Sequence, residues 1–210
     1  MDASDFRKVR TSLLVFALVF AGQLLATENW KKIETKDGVD LYERWVNVNS
    51  HLTVKERKAE MVINSDMNSV LKTLSDPSQT KLWMENVSDS YLLTKKSDNV
   101  WTSYTYFSLP WPFENRDLIC VSNLKSHDSG TATIEMVSME NMLPVKQKVE
   151  RLTNYKATWK IADLGNGQVY VSFSAMTATP PQYPRFVIDP VVRGAFLRNL
   201  IKLRLVLSSN

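Results

Sequence analysis

The stretch "LPWPFENRDLICVS", residues 109–122, joins a rigid apolar corner to a charged cluster and then to a run of apolar residues. Pro110 and Pro112 have fixed φ and no amide hydrogen, so the chain here turns or runs extended. From Asp117 onward, Leu118, Ile119, Cys120 and Val121 read as a buried strand. Arg116 therefore stands where a strand enters the core, and a guanidinium placed there needs a partner. Its planar fork suits phosphate or carboxylate in a bidentate contact. Two readings stay open: Arg116 as a cavity-facing recognition group, and Arg116 in an ion pair with Glu114 or Asp117.

Strand signals extend in both directions from this corner. Residues 30–35 and 39–46 flank Asp37-Gly38, a hairpin turn, and 51–63 is a third extended run. Beyond the helical interval described next, runs at 87–94, 100–107, 117–124, 131–139, 155–162 and 168–178 alternate with "KKSDN", "SHDSG" and "DLGNG", all turn chemistry. Connections this short make antiparallel neighbours. Between the third and fourth runs, Ser65 is placed to cap a short helix carrying Val70, Leu71 and Leu74, and Pro77 to start a second. Near the end, Asp189-Pro190 reads as an N-cap followed by proline at the first helical position. Val192, Phe196, Leu200, Leu203 and Leu207 then fall on one stripe, which must bury against something. The economical packing is α+β: a curved antiparallel sheet of about nine strands wrapped around a long C-terminal helix, with two short helices inserted after the third strand.

The same stretch resembles the signature of START domains, the StAR-related lipid-transfer modules, in which a proline-aromatic-proline corner precedes Asn-Arg-Asp and a strand. "INSDMNSVLKTLSDPSQTKLWMENV", residues 63–87, resembles the two-helix insertion of that family, and the terminal helix takes the family's last position. The resemblance covers about residues 30–207; the family's long first helix has little room between Ala26 and Trp30. It implies a helix-grip fold whose tunnel holds one lipid, sterol or similar molecule. It also implies that Arg116 either points into the tunnel toward a lipid phosphate or forms a buried ion pair. The remaining candidates for the pocket wall are Trp83, Tyr104, Tyr106, Trp111, Met136, Phe196 and Leu200, since such walls are apolar and aromatic with few polar groups. Each of these also has an ordinary reading as core. Met139, and the segment "MENMLPVKQKVERL" as an entrance flap or a solvated connection, rank below them. Four prolines in "TPPQYPRFVIDP", Pro180, Pro181, Pro184 and Pro190, make the approach to the terminal helix a hinge, with the flap as the other route in.

Composition narrows the function further. The chain has 210 residues, 44% hydrophobic and 23% charged, as in an ordinary globular domain. Its net charge of +4 is dispersed, which gives nucleic-acid binding no footing and leaves weak, transient contact with an anionic membrane surface open. His51, His127 and a single cysteine, Cys120, offer no metal-ligand spacing and no nucleophile-base pair, and the glycines form no phosphate loop. The reading is a monomeric, cofactor-free carrier of a lipid or other apolar molecule. The alternative is a cyclase- or hydrolase-like enzyme on the same fold, using Arg116 and a cavity carboxylate such as Glu85, Glu114 or Asp117.

Arg7, Lys8 and Arg10 precede an uncharged apolar stretch, residues 13–26, in the order of a signal peptide. That stretch is shorter than the roughly 20 apolar residues a spanning helix needs, which sets cleavage ahead of a membrane anchor. Cleavage is expected after Ala26, or after Ala21, to give a periplasmic or secreted domain at 27–210 without a disulfide. N-terminal sequencing of the purified protein is expected to begin near Thr27; an intact Met1 chain in the membrane fraction makes residues 13–26 an anchor.

Overall fold

A computed structural model describes residues 29–127 and 130–208, with only the backbone of Ser126 and His127. The expected leader, residues 1–26, lies outside the described residues. The elements run β1 (Lys31–Lys36), β2 (Val39–Asn47), β3 (Thr53–Asn64), α1 (Met67–Ser75), a 3-10 turn (Pro77–Gln79), α2 (Thr80–Trp83), β4 (Val87–Ser97), β5 (Val100–Phe107), β6 (Asn115–His127), β7 (Thr131–Ser138), β8 (Val149–Arg151), β9 (Tyr155–Gly165), β10 (Gln168–Thr177) and α3 (Arg185–Ser208). All nine anticipated strands are present, together with β8 inside the segment read as flap or connection. The sheet follows the order β1-β2-β3-β10-β9-β7-β6-β5-β4, curved around α3, and β8 adds to β6 off this path.

Local chemistry sets most boundaries. Asp37 and Gly38 take φ of 48° and 75°, the left-handed pair that a two-residue hairpin turn demands. Asp66, one residue past the expected Ser65, caps α1: its carboxylate accepts from the Ser69 amide at 3.0 Å. Asp76 does the same for the turn at Pro77, accepting from the Ser78 amide at 2.9 Å.

Two expectations are corrected. The terminal helix starts at Arg185, so Asp189-Pro190 is not its cap and Pro190 lies inside it. The amides of Val187 and Ile188 donate to the Pro184 carbonyl at 2.9 and 3.1 Å, which opens the helix before Asp189. The missing Pro190 amide deprives the carbonyl of Phe186, a residue 82% exposed, of its helical donor. Of the four prolines of the expected hinge, Pro180, Pro181 and Pro184 precede the helix. The stripe also divides: Leu197, Leu200, Leu203 and Leu207 are buried, Phe196 is half-buried, and Val192 is exposed. The helix grips the sheet with its second half by apolar packing.

The β6–β8 register is the second surprise. It is parallel and aligns Arg116 with Glu150 and Asp117 with Arg151. Successive side chains on a strand point to opposite faces, so the two pairs lie on opposite sides of the sheet. On the outer side, Arg151 clasps fully buried Asp117 through Nε and NH2 at 2.9 and 2.8 Å. Its remaining donors take the carbonyls of Glu140, Leu143 and Pro144, and Tyr104 Oη donates to Asp117 at 3.3 Å. Asp117 in turn holds the Arg151 guanidinium above its ordinary pKa. One arginine therefore ties the whole 140–151 segment to β6. Removing one partner of a buried pair strands the other charge, so Arg151→Met is expected to cost about 3–5 kcal/mol in denaturant unfolding. Asp117→Asn combined with Arg151→Met is expected to recover a good part of that loss.

Candidate functional site

Between the inner face of the sheet and the first two thirds of α3 lies a cavity of about 380 Å³, with α1 and α2 at its side. Period-2 alternation decides which residues reach it. The cross-strand row Arg57, Ala175, Ala157, Met136, Ser122, Trp101 runs through β3, β10, β9, β7, β6 and β5 in register. All but Ala157 line the cavity. On β5 the same parity brings Ser103, Thr105 and Phe107 inward.

One wall is aromatic. Trp83 meets Trp159 edge-on at 6.1 Å, Trp159 stacks on Phe173 at 4.0 Å, and Phe173 stacks on Phe196 at 5.7 Å. This chain of rings runs from α2 across β9 and β10 to α3. Trp159 and Phe173 escaped notice in the sequence, although both stand in step with small or branched residues, Ala157 and Ile161 for one, Val171 and Ala175 for the other. That inward parity was the available signal.

Of the expected wall residues, Arg116, Trp83, Met136, Phe196 and Leu200 line the cavity. Tyr104, Tyr106 and Trp111 do not. Tyr104 points to the opposite face of β5, buried beside Asp117 and Tyr91, and the Lys146 ammonium sits 5.0 Å from its ring and 5.2 Å from that of Tyr106. Trp111 is 93% exposed at the tip of the proline corner. Met139 is exposed as well. The corner is held by other contacts: Asn115 Oδ1 accepts from the Leu109 amide at 3.0 Å, and Tyr183 Oη donates to the Pro112 carbonyl at 3.2 Å. Phe113 meets the Tyr183 ring edge-on, which ties the corner to the run before α3.

Arg116 pairs with neither Glu114 nor Asp117. Its Nε stands 2.8 Å from Glu150 Oε2, across the β6–β8 register, and both residues line the cavity. The pair is close but poorly aligned for a hydrogen bond, and both atoms are sealed from solvent. Further along, Cys120, Tyr155 and Ser122 also line the cavity. Burial pushes the Cys120 thiol up to about 12 and raises the Tyr155 phenol, so both stay protonated at neutral pH.

The first half of α3 is fastened by charge. Glu43 on β2 accepts from Arg193 at 3.0 Å through each oxygen, from Arg57 Nε at 3.1 Å, and pairs with Lys55 at 3.2 Å. Lys55 also reaches Asp189 at 2.9 Å. Burial works to raise the Glu43 pKa, yet Arg193, Arg57 and Lys55 hold it below its ordinary value. Arg185 donates to the Thr53 carbonyl at 2.7 Å and lies over Trp45. Farther down the helix, Arg198 takes both oxygens of Glu85 at 2.9–3.0 Å, and Asn199 accepts from the Glu85 amide.

Comparison with solved structures gives the fold a name. A STAR-related lipid transfer protein fragment from Xanthomonas axonopodis superposes with a TM-score of 0.75 at 24% identity, over 86% of this chain and 99% of that one. Human StAR-related lipid transfer protein 5 gives 0.76 at 17% identity, over 96% of both chains. Human STARD10 gives 0.71 at 18%, over 97% of this chain and 78% of that one. The chain has the START fold. No family model and no curated protein matches the sequence. The START element order thus persists where identity has fallen to about a fifth, because sheet order and the inward parity of each strand carry it.

A buried thiol with a raised pKa is a poor nucleophile. With iodoacetamide at pH 8 under native conditions, Cys120 is expected to react at least about 100-fold more slowly than a free cysteine, and at the ordinary rate once unfolded. Rapid alkylation of the folded protein shows that the cavity wall around it is open to water.

Proposed function

We propose that this protein binds a lipid or other apolar small molecule in the cavity and carries or sequesters it, outside the cytoplasm, without chemical change. The observation that carries the reading is the cavity itself, walled by Trp83, Trp159, Phe173, Phe196 and Leu200 between sheet and helix. A folded chain gains by closing such space with side chains, since each unfilled apolar volume costs stability. A binding role accounts for leaving it open. The neighbours named for lipid transfer share this fold, which supports the same class of ligand here.

The polar groups of the wall favour a binder over an enzyme. Arg116 and Glu150 neutralise each other, Asp189 is engaged by Lys55, and Cys120 is held as the thiol. A general acid-base pair instead needs one group poised to give a proton and another free to take it. Arg116 therefore meets a ligand as half of an ion pair. A polar head displacing Glu150 has to match its charge and reach.

Native mass spectrometry of protein purified from its own compartment is expected to show an adduct of lipid-like mass that organic extraction removes. Ser122→Phe places a ring in the cavity from the centre of the wall. It is expected to keep the far-ultraviolet circular dichroism spectrum while losing the adduct and weakening uptake at least tenfold. Undiminished uptake in Ser122→Phe, or an extracted protein that takes up no amphiphile, overturns the proposal.

A further inference from the structure

Lys55 and Arg57 line the cavity from β3, opposite the first half of α3, and the charges gathered there do not balance. The Arg57 side chain is 10% exposed, and its Nε bonds to Glu43. Its NH2 atom is sealed from solvent and has no hydrogen-bond partner. Asp189 Oδ1 stands 3.6 Å from that atom, beyond hydrogen-bond reach. Both nearby carboxylates are shared: Glu43 also holds Arg193 and Lys55, and Asp189 holds Lys55 at 2.9 Å. Arg185, also on the cavity wall, donates to a carbonyl rather than to an acid. Lys55, Arg57 and Arg193 thus share Glu43 and Asp189, with Glu34 adding attraction to Arg193.

Burial lowers the pKa of Arg57 in spite of Glu43 and Asp189, whereas the bond to Glu43 raises that of Arg193. The donor left unmet at this end of the cavity is Arg57 NH2. A buried guanidinium nitrogen with no acceptor is costly, and an anion is the group that relieves it. At Arg116 the count is even, one cation and one carboxylate.

We infer that the Arg57 end of the cavity is an anion site, where the carboxylate or phosphate of an amphiphile takes the place of Asp189 beside Arg57 NH2 and Lys55, and its apolar body lies along Phe173 and Trp159. Phe173 pairs with Ala59, two residues from Arg57 on the same face of β3, so head and body fit one continuous path. The inference rests on the carrier reading and adds the class of ligand: a single-headed anionic amphiphile, read at Arg57 rather than at Arg116.

The test is a set of titrations of the delipidated full chain, followed by tryptophan fluorescence, with three ligands sharing a sixteen-carbon chain: hexadecanoate, hexadecyl phosphate and hexadecanol. At least one anion is expected to bind about tenfold or more tighter than the alcohol, the scale of a charge-assisted hydrogen bond. The tighter of the two anions identifies the head group as carboxylate or phosphate. In Arg57→Met the ratio of anion to alcohol affinity is expected to fall to within about twofold. In the double variant Arg116→Gln with Glu150→Gln it is expected to persist. Should Arg57→Met fail to fold, Arg57→Lys is read in its place and is expected to cut the ratio several-fold, since a point charge lacks the fork. Equal binding of all three ligands overturns the anion site and leaves the carrier reading standing. Loss of preference in the Arg116 and Glu150 variant, with preference kept in Arg57→Met, also overturns it. If none of the three binds, the carrier reading falls and the anion site with it.

Discussion

The register between β6 and β8, three residues long, is the constraint on which the site depends. Parallel pairing sets Arg116 beside Glu150 and Asp117 beside Arg151, and the pleat sends one pair into the cavity and the other to the outer face. Neither pair is separable from the other, because a slip of one residue would exchange faces and bury like charges against the apolar wall. The outer pair supplies the strength: Arg151 is saturated by Asp117 and three carbonyls. The inner pair sets two opposite charges 2.8 Å apart in an otherwise largely apolar wall. A strand this short is held by its side chains at least as much as by its ladder.

The proline corner serves the same arrangement from the other end. Pro110 and Pro112 stop the loop from continuing β5 directly into β6, and Asn115 closes it onto Leu109. Arg116 therefore enters the sheet at a fixed height opposite β8. Trp111 is left at the surface because its neighbours spend their contacts inward: Phe113 on Tyr183, and Pro112 on the Tyr183 hydroxyl. The motif that decides the fold thus connects two regions distant in sequence, the β6–β8 clasp and the approach to α3.

Much of the fold was legible in the sequence because its signals are local. Alternation marks the long strands, Asp37-Gly38 marks the hairpin, and Asp76-Pro77 marks the turn. What escaped depends on partners. Nothing in Val149, Glu150 and Arg151 spells a strand; β6 makes them one. Asp189-Pro190 has the chemistry of a helix start, but Arg185 donates to the Thr53 carbonyl and lies over Trp45, and the helix begins a turn further back. The site was legible in part for a related reason. Trp101 and Phe107 share one parity of β5, Tyr104 and Tyr106 the other, and both faces of that strand are covered. Aromatic content alone cannot tell wall from back when each side has something to pack against.

The two halves of α3 are held by different forces, and this bears on how a ligand reaches the cavity. Leu200, Leu203 and Leu207 lock the second half into the core by apolar burial, which needs no ion pair. The first half has Val187, Val191 and Val192 largely exposed and is fastened by Glu43, Lys55, Asp189, Arg193 and Arg185. Such a clasp can be undone by exchange of one anion for another, whereas an apolar seam must be exposed to water to open. The prolines at 180, 181 and 184 limit where the chain preceding α3 bends. An anionic head arriving at Arg57 competes for the same cations that hold Asp189 and Glu43. On the proposed anion site, binding at that spot is coupled through shared charge to the clasp on the first turns of α3.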